Sequence, residues 1–182
     1  MTNDPSPYPI EINDIQAWGK QHAVPEHEAR QRFASYVVLA CIAADSTLSP
    51  ALAFKGGNAL RFVYGSPRST TDLDFTVNTP NIADSDVELR KLLDQALGYS
   101  FSRFDVKTKC QRVKRNPKSV KATMPTYDIT IGYQFREDHY FHDFDSRNHS
   151  TIIELEISFN DWRIQWQSAT PCSKKATWRV SL

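Results

Sequence analysis

The stretch Asp72-Leu-Asp-Phe-Thr-Val77 constrains the fold more than any other part of the chain. Successive side chains of an extended strand point to opposite faces, so Leu73, Phe75 and Val77 form an apolar face while Asp72, Asp74 and Thr76 line the other. Such a strand suits a sheet with one packed face and one open face. Two later stretches repeat the pattern: Tyr127-Asp-Ile-Thr-Ile-Gly-Tyr-Gln-Phe135 keeps its apolar residues at odd positions, and Ile152-Ile-Glu-Leu-Glu-Ile-Ser-Phe159 alternates likewise. With residues 101–106, read as a further strand, they are expected to run antiparallel. Helices are expected where the period lengthens. Phe33, Tyr36, Val37, Ala40, Cys41 and Ala44 recur every three or four residues and predict a helix over about 26–45. Ser85-Asp-Val-Glu88 has the form of a capping box, opening a helix that carries Val87, Leu89, Leu92, Leu93, Ala96 and Leu97 and stops at Gly98. The order of elements predicts an α+β fold, a mixed and mostly antiparallel sheet with helices on one side.

At 182 residues the chain is long enough for one domain with a sizeable core and short for two. We expect a proline-bearing arm and short helix over 1–24, with residues 1–12 extended on the surface or frayed, a core over 25–160 and a short tail over 161–182. Hydrophobic residues make up 40% and charged residues 24%, which excludes collagen-like, low-complexity and largely disordered chains. Lys and Arg number 22 against 21 Asp and Glu, so any electrostatic signal for a partner must be local. Cys41, Cys110 and Cys172 are few, odd in number and widely spaced, which fits a reducing compartment and three structural thiols better than a disulfide framework or a zinc site. No basic start followed by an apolar stretch is present, and no run approaches the roughly 18 apolar residues of a membrane span. A cytoplasmic location with no membrane partner is the expectation.

The chemistry concentrates between Phe54 and Phe75. A short apolar run, 51–54, is cut by Lys55-Gly56-Gly57, and Asn58-Ala-Leu-Arg-Phe-Val-Tyr64 reads as a helix. Two glycines between strand and helix let the backbone approach a polyphosphate, and the helix start offers unpaired N–H groups. Asp72 and Asp74 follow, two carboxylates on one side of a strand. Like charges so close raise a pKa unless cations neutralise them, so the pair is either a Mg²⁺ site or a solvated strand face.

The motifs Lys55-Gly56-Gly57, Leu60-Arg61 and Arg68-x-Thr70-x-Asp72-Leu-Asp-Phe75 resemble the signature of the AbiEii/AbiGii-type nucleotidyltransferase toxins, within the DNA polymerase β-like nucleotidyltransferase superfamily. Asn58 and Thr70 stand where that family usually has Thr and Ser, and the resemblance covers roughly residues 28–160. It implies a nucleotidyltransferase-like fold and a third carboxylate at Glu156, in Glu-Ile-Ser, with Glu154 where the family tends to have a lysine. It further implies transfer of a nucleotide from a nucleoside triphosphate to an acceptor, by class tRNA. Two Mg²⁺ ions would be held by Asp72, Asp74 and Glu156, the triphosphate by Lys55, Gly56, Gly57, Arg68 and Thr70. A cognate antitoxin is the implied protein partner. Family members usually continue into a helical C-terminal region, and the expectation here is a short form without it. The rival readings are therefore an inactive module that binds nucleotide, RNA or antitoxin, and a transferase acting on a small molecule.

A second local signal is the run 107–121, with seven basic residues and no acidic one, which is either a phosphate-tracking surface or a solvated hairpin. Tyr127, Tyr133 and Phe135 lie near it and either stack on bases or, as is commoner at strand spacing, belong to the core. Residues 137–145 gather His139, His142 and several acids without the spacing of a zinc site, and read as a polar connection between strands.

Overall fold

Ser85 caps its helix as its sequence requires. The Oγ accepts from the Glu88 amide at 3.2 Å, and α5 (Asp86–Leu97) runs from there to Gly98. Leu89, Leu93, Ala96 and Leu97 are buried, whereas Val87, expected among them, is 74% exposed. It lies two residues from Leu89, about 200° round the helix, and so faces away. The other long helix, α2 (Glu26–Ala44), ends one residue short of the expected limit. Together with α1 (Ile15–Gln21), these helices supply one side of the core.

The computed structural model describes residues 6, 8–64, 70–78, 82–83, 85–117 and 125–159, without the side chains of 61–64. The expectations for Arg68, Lys118, Lys121, Cys172 and the tail over 161–182 lie outside the described residues. Five strands form one sheet in the order β1-β2-β5-β4-β3, comprising β1 (Leu52–Lys55), β2 (Leu73–Val77), β3 (Val106–Asn116), β4 (Thr126–Phe135) and β5 (Ile152–Ser158). Among the described residues only β2 and β5 pair in parallel, the other neighbours being antiparallel, so the sheet is mixed and the fold α+β. Its packed face carries Leu73 and Phe75 of β2, Ile129 and Ile131 of β4, and Ile153, Leu155 and Ile157 of β5, all in one cluster with α2 and α5. Tyr127, Tyr133 and Phe135 face that core.

Three local expectations need correction. Residues 101–106 are not a strand: α6 (Ser100–Phe104) occupies most of the stretch, and β3 begins at Val106. Phe101 and Phe104 are three apart, a helical spacing, and meet different partners, Phe141 at 5.4 Å and Tyr36 at 5.9 Å. Asp105, at φ 58°, then turns the chain into β3. Ala51 closes the short α3 (Leu48–Ala51), and the two glycines form the first turn of α4 (Gly56–Tyr64) instead of preceding it. The described part of the N-terminal arm packs against the body of the protein instead of fraying: Tyr8 is 1% exposed, and Trp18 Nε1 donates to the Ser6 carbonyl at 2.8 Å.

Candidate active site

The open face gathers its charges by register. Lys55 pairs with Asp74, Asp74 with Glu156, Glu156 with Asp128 and Asp128 with Lys114, so five strands contribute one transverse row. Paired residues share a face, and the strands lie about 4.8 Å apart, which makes Asp74 and Glu156 immediate neighbours. Two of the three expected carboxylates thus meet because β2 and β5 are adjacent and parallel. Asp72 lies just before β2 and is exposed; Thr71 Oγ1 donates to its Oδ1 at 3.0 Å.

Lys55 reaches over β2 to β5. Its ammonium donates to Ser158 Oγ at 2.7 Å and stands 3.5 Å from Glu156 Oε1, while Ser158 Oγ donates to the same Glu156 oxygen at 3.2 Å. Asp74 beneath it is half-buried, and burial raises its pKa; Lys55 opposes that rise, while the charges of Glu156 and Asp72 add to it. The row therefore carries more negative charge than Lys55 neutralises.

Gly56 fixes where the Asp74 carboxylate can sit. Its φ of +76° is a left-handed conformation that a side chain strains, and a Cβ there would lie 1.9 Å from Asp74 Oδ2. A Cβ on Gly57 would lie 2.9 Å from Thr70 Cγ2, so the second glycine admits Thr70. Asn58, 1% exposed, donates through Nδ2 to the Asp72 carbonyl at 2.6 Å and ties the start of α4 to the entry of β2. Asn58 Oδ1 and Thr70 Oγ1 are buried with no partner among the described residues. Buried polar atoms left unpaired cost free energy, and these two stand where α4 starts and β2 is entered.

Among the described residues no group of three or more His, Cys, Asp or Glu is gathered closely enough to hold a metal ion. Asp72, Asp74 and Glu156 nonetheless fit Mg²⁺ by donor chemistry: they are hard oxygen ligands, and their mutual repulsion is of the kind that a divalent cation relieves. Residues 137–145 lie in the connection between β4 and β5, where Phe141 and Phe144 turn inward and make it less polar than its sequence suggests. Cys41 and Cys110 are free and buried, burial pushing their thiols up to about 11 and about 12, so both are inert structural residues.

Three participants escaped the sequence reading. Ser158 was detectable as the residue two positions after Glu156, hence on its face. Asp128 required the β4–β5 register, and the anchoring role of Asn58 required the proximity of α4 to β2.

The site is thus an open sheet face with an acidic row, bordered by a helix that starts on two glycines. Residues 37–173 match the family model described as nucleotidyl transferase AbiEii toxin, type IV TA system, and the chain belongs to this family of nucleotidyltransferase toxins. Membership in a type IV toxin–antitoxin family implies an antitoxin partner. No curated protein and no solved structure matches the chain. No helix among the described residues is long and apolar enough to cross a membrane.

Proposed function

We propose that the protein is a Mg²⁺-dependent nucleotidyltransferase that moves a nucleotide from a nucleoside triphosphate to an RNA acceptor, tRNA by class, in the cytoplasm. The observation that carries the reading is the register that sets Asp74 beside Glu156, under Lys55 and against the glycine start of α4. In the reaction the acceptor hydroxyl oxygen bonds to the α-phosphorus, the bond from that phosphorus to the bridging oxygen breaks, and pyrophosphate leaves with the electron pair. Glu156 takes the hydroxyl proton. Lys55, which exchanges its Ser158 and Glu156 contacts for phosphate oxygens, and the amides at Gly56 and Gly57 orient the triphosphate, with Thr70 beside them and Arg68 assigned to the same phosphates by the family resemblance alone. Asp72, Asp74 and Glu156 would hold two Mg²⁺ ions, which when bound lower the pKa of the nucleophile and neutralise charge on the leaving oxygen.

The test is incubation of the purified chain with Mg²⁺, total tRNA and each α-labelled nucleoside triphosphate in turn. Label on RNA that vanishes in Asp72→Ala and Asp74→Ala, with both variants folded, is the expected result. A folded wild-type preparation that labels neither RNA nor protein would replace the enzyme with a module that only binds.

A further inference from the structure

The basic run on β3 is not uniform, and a bulge is what divides it. Before the bulge, Lys107 pairs with Gln134 and Lys109 with Gly132; after it, Arg112 pairs with Thr130 and Lys114 with Asp128. All four partners are even-numbered residues of β4 and share the open face, so the outward positions of β3 switch from odd to even across Gln111. The extra residue keeps Arg112 and Lys114 outside; an unbroken strand would turn them into the core.

The two pairs of cations then differ in what they hold. Lys107 donates to the Phe141 carbonyl at 3.2 Å, and Lys109 donates to the carbonyls of Phe144 and Arg147, each at 2.6 Å. Both are committed to the connection between β4 and β5. Gln111 reinforces it, accepting from the His149 amide at 2.7 Å and donating to the His149 carbonyl at 3.2 Å, over a Gly132 whose Cβ would collide with it. Arg112 and Lys114 are exposed and make no side-chain hydrogen bond or ion pair among the described residues. The acids nearest in register are served by neutral donors: Thr130 Oγ1 donates to Glu154, and Asn116 Nδ2 to Asp128. Arg115 points to the other face, paired with Tyr127.

Two unspent cations therefore stand about 7 Å apart along β3, in the row of Glu156 and in the row beside it. We infer that Arg112 and Lys114 take backbone phosphates of the RNA acceptor and lead it across the open face to Asp74 and Glu156, while Lys107 and Lys109 take no part. This rests on the transferase reading for the identity of the polyanion. Exposed Arg and Lys side chains that hold phosphates position a strand without reading its sequence, so the contact should be sequence-independent and sensitive to salt.

The experiment measures binding of end-labelled total tRNA by the full chain, without nucleotide, across salt concentration, alongside the transfer assay. Arg112→Gln/Lys114→Gln should weaken binding about tenfold or more and reduce the slope of log K against log salt by about 1.5. Lys20→Gln/Lys91→Gln, which removes the same charge from exposed positions on α1 and α5, should leave the slope unchanged. Equal losses in the two double variants, or none in the first, would overturn the inference while leaving transfer to RNA intact. A wild-type chain that transfers nucleotide to a protein or small molecule and binds no tRNA would overturn it as well. Binding that depends on Arg112 and Lys114 in a chain that transfers nothing would uphold it and overturn the transferase reading.

Discussion

Lys55 and Lys109 lie on the same face of one sheet and are used in opposite ways. The Lys109 ammonium donates to the carbonyls of Phe144, Asp145 and Arg147 at 2.6, 3.3 and 2.6 Å, which matches its three donors to three acceptors. Lys55 holds one hydroxyl well and one carboxylate at 3.5 Å. Around Lys109 the chain closes on itself; around Lys55 it leaves acids in excess and buries Asn58 Oδ1 and Thr70 Oγ1 with no partner among the described residues. The contrast teaches that stability and chemistry occupy separate ends of the face. Where the polar groups are saturated they fix the β4–β5 connection. Where they are not, the fold carries a cost that a ligand can offset.

Asp74→Asn should give the largest effect and cut the contrast most sharply. Transfer should fall by about 100-fold or more, measured by label incorporation, without loss of melting temperature. The sign follows from the raised pKa of Asp74: its protonated form is the one the fold prefers, so its contribution to stability is present at low pH and is lost as pH rises through the folded-state pKa. At neutral pH the ionised carboxylate is a burden, and removing its charge should hold or raise the melting temperature. A clear drop would mean that Asp74 is structural.

The two lysines offer the next test. Lys109→Met leaves three carbonyls without their donor and should cost about 1–3 kcal/mol in chemical denaturation while transfer persists. Lys55→Met breaks a half-exposed ion pair, should cost under about 1 kcal/mol, and should abolish most transfer. If the two variants exchanged phenotypes, the division of the face would be wrong. Gly56→Ala falls between the two lysine variants in stability, at about 1–2 kcal/mol for a side chain in the left-handed region. It should also displace the Asp74 carboxylate, so the loss of transfer should exceed what the lost stability explains.

Much of this was legible in the sequence because it is local. The alternation in β2, β4 and β5, the Ser85 cap and the period of α2 each declare themselves within a dozen residues. The shared face of Asp74 and Glu156 was legible for the same reason, since it follows from strand parity. What could not be read is what depends on pairing between distant elements. Asp128 enters the row only through β5, Lys55 meets Ser158 only because β2 lies between their strands, and α6 replaces a strand because Phe104 finds Tyr36 on α2. The burial of Tyr8 is likewise a tertiary outcome, in an arm whose prolines suggested a loose surface segment.

The bulge at Gln111 also bears on how relatives should be compared with this chain. Residues on either side of it obey opposite rules of parity, so a relative lacking that one residue would align without a gap over half of β3 and with a gap over the other half. Ignoring the offset would match Lys114 with a buried position and Val113 with an exposed one. A basic residue conserved in space would then look like an unrelated substitution, and the shared charge of this edge would vanish from the comparison.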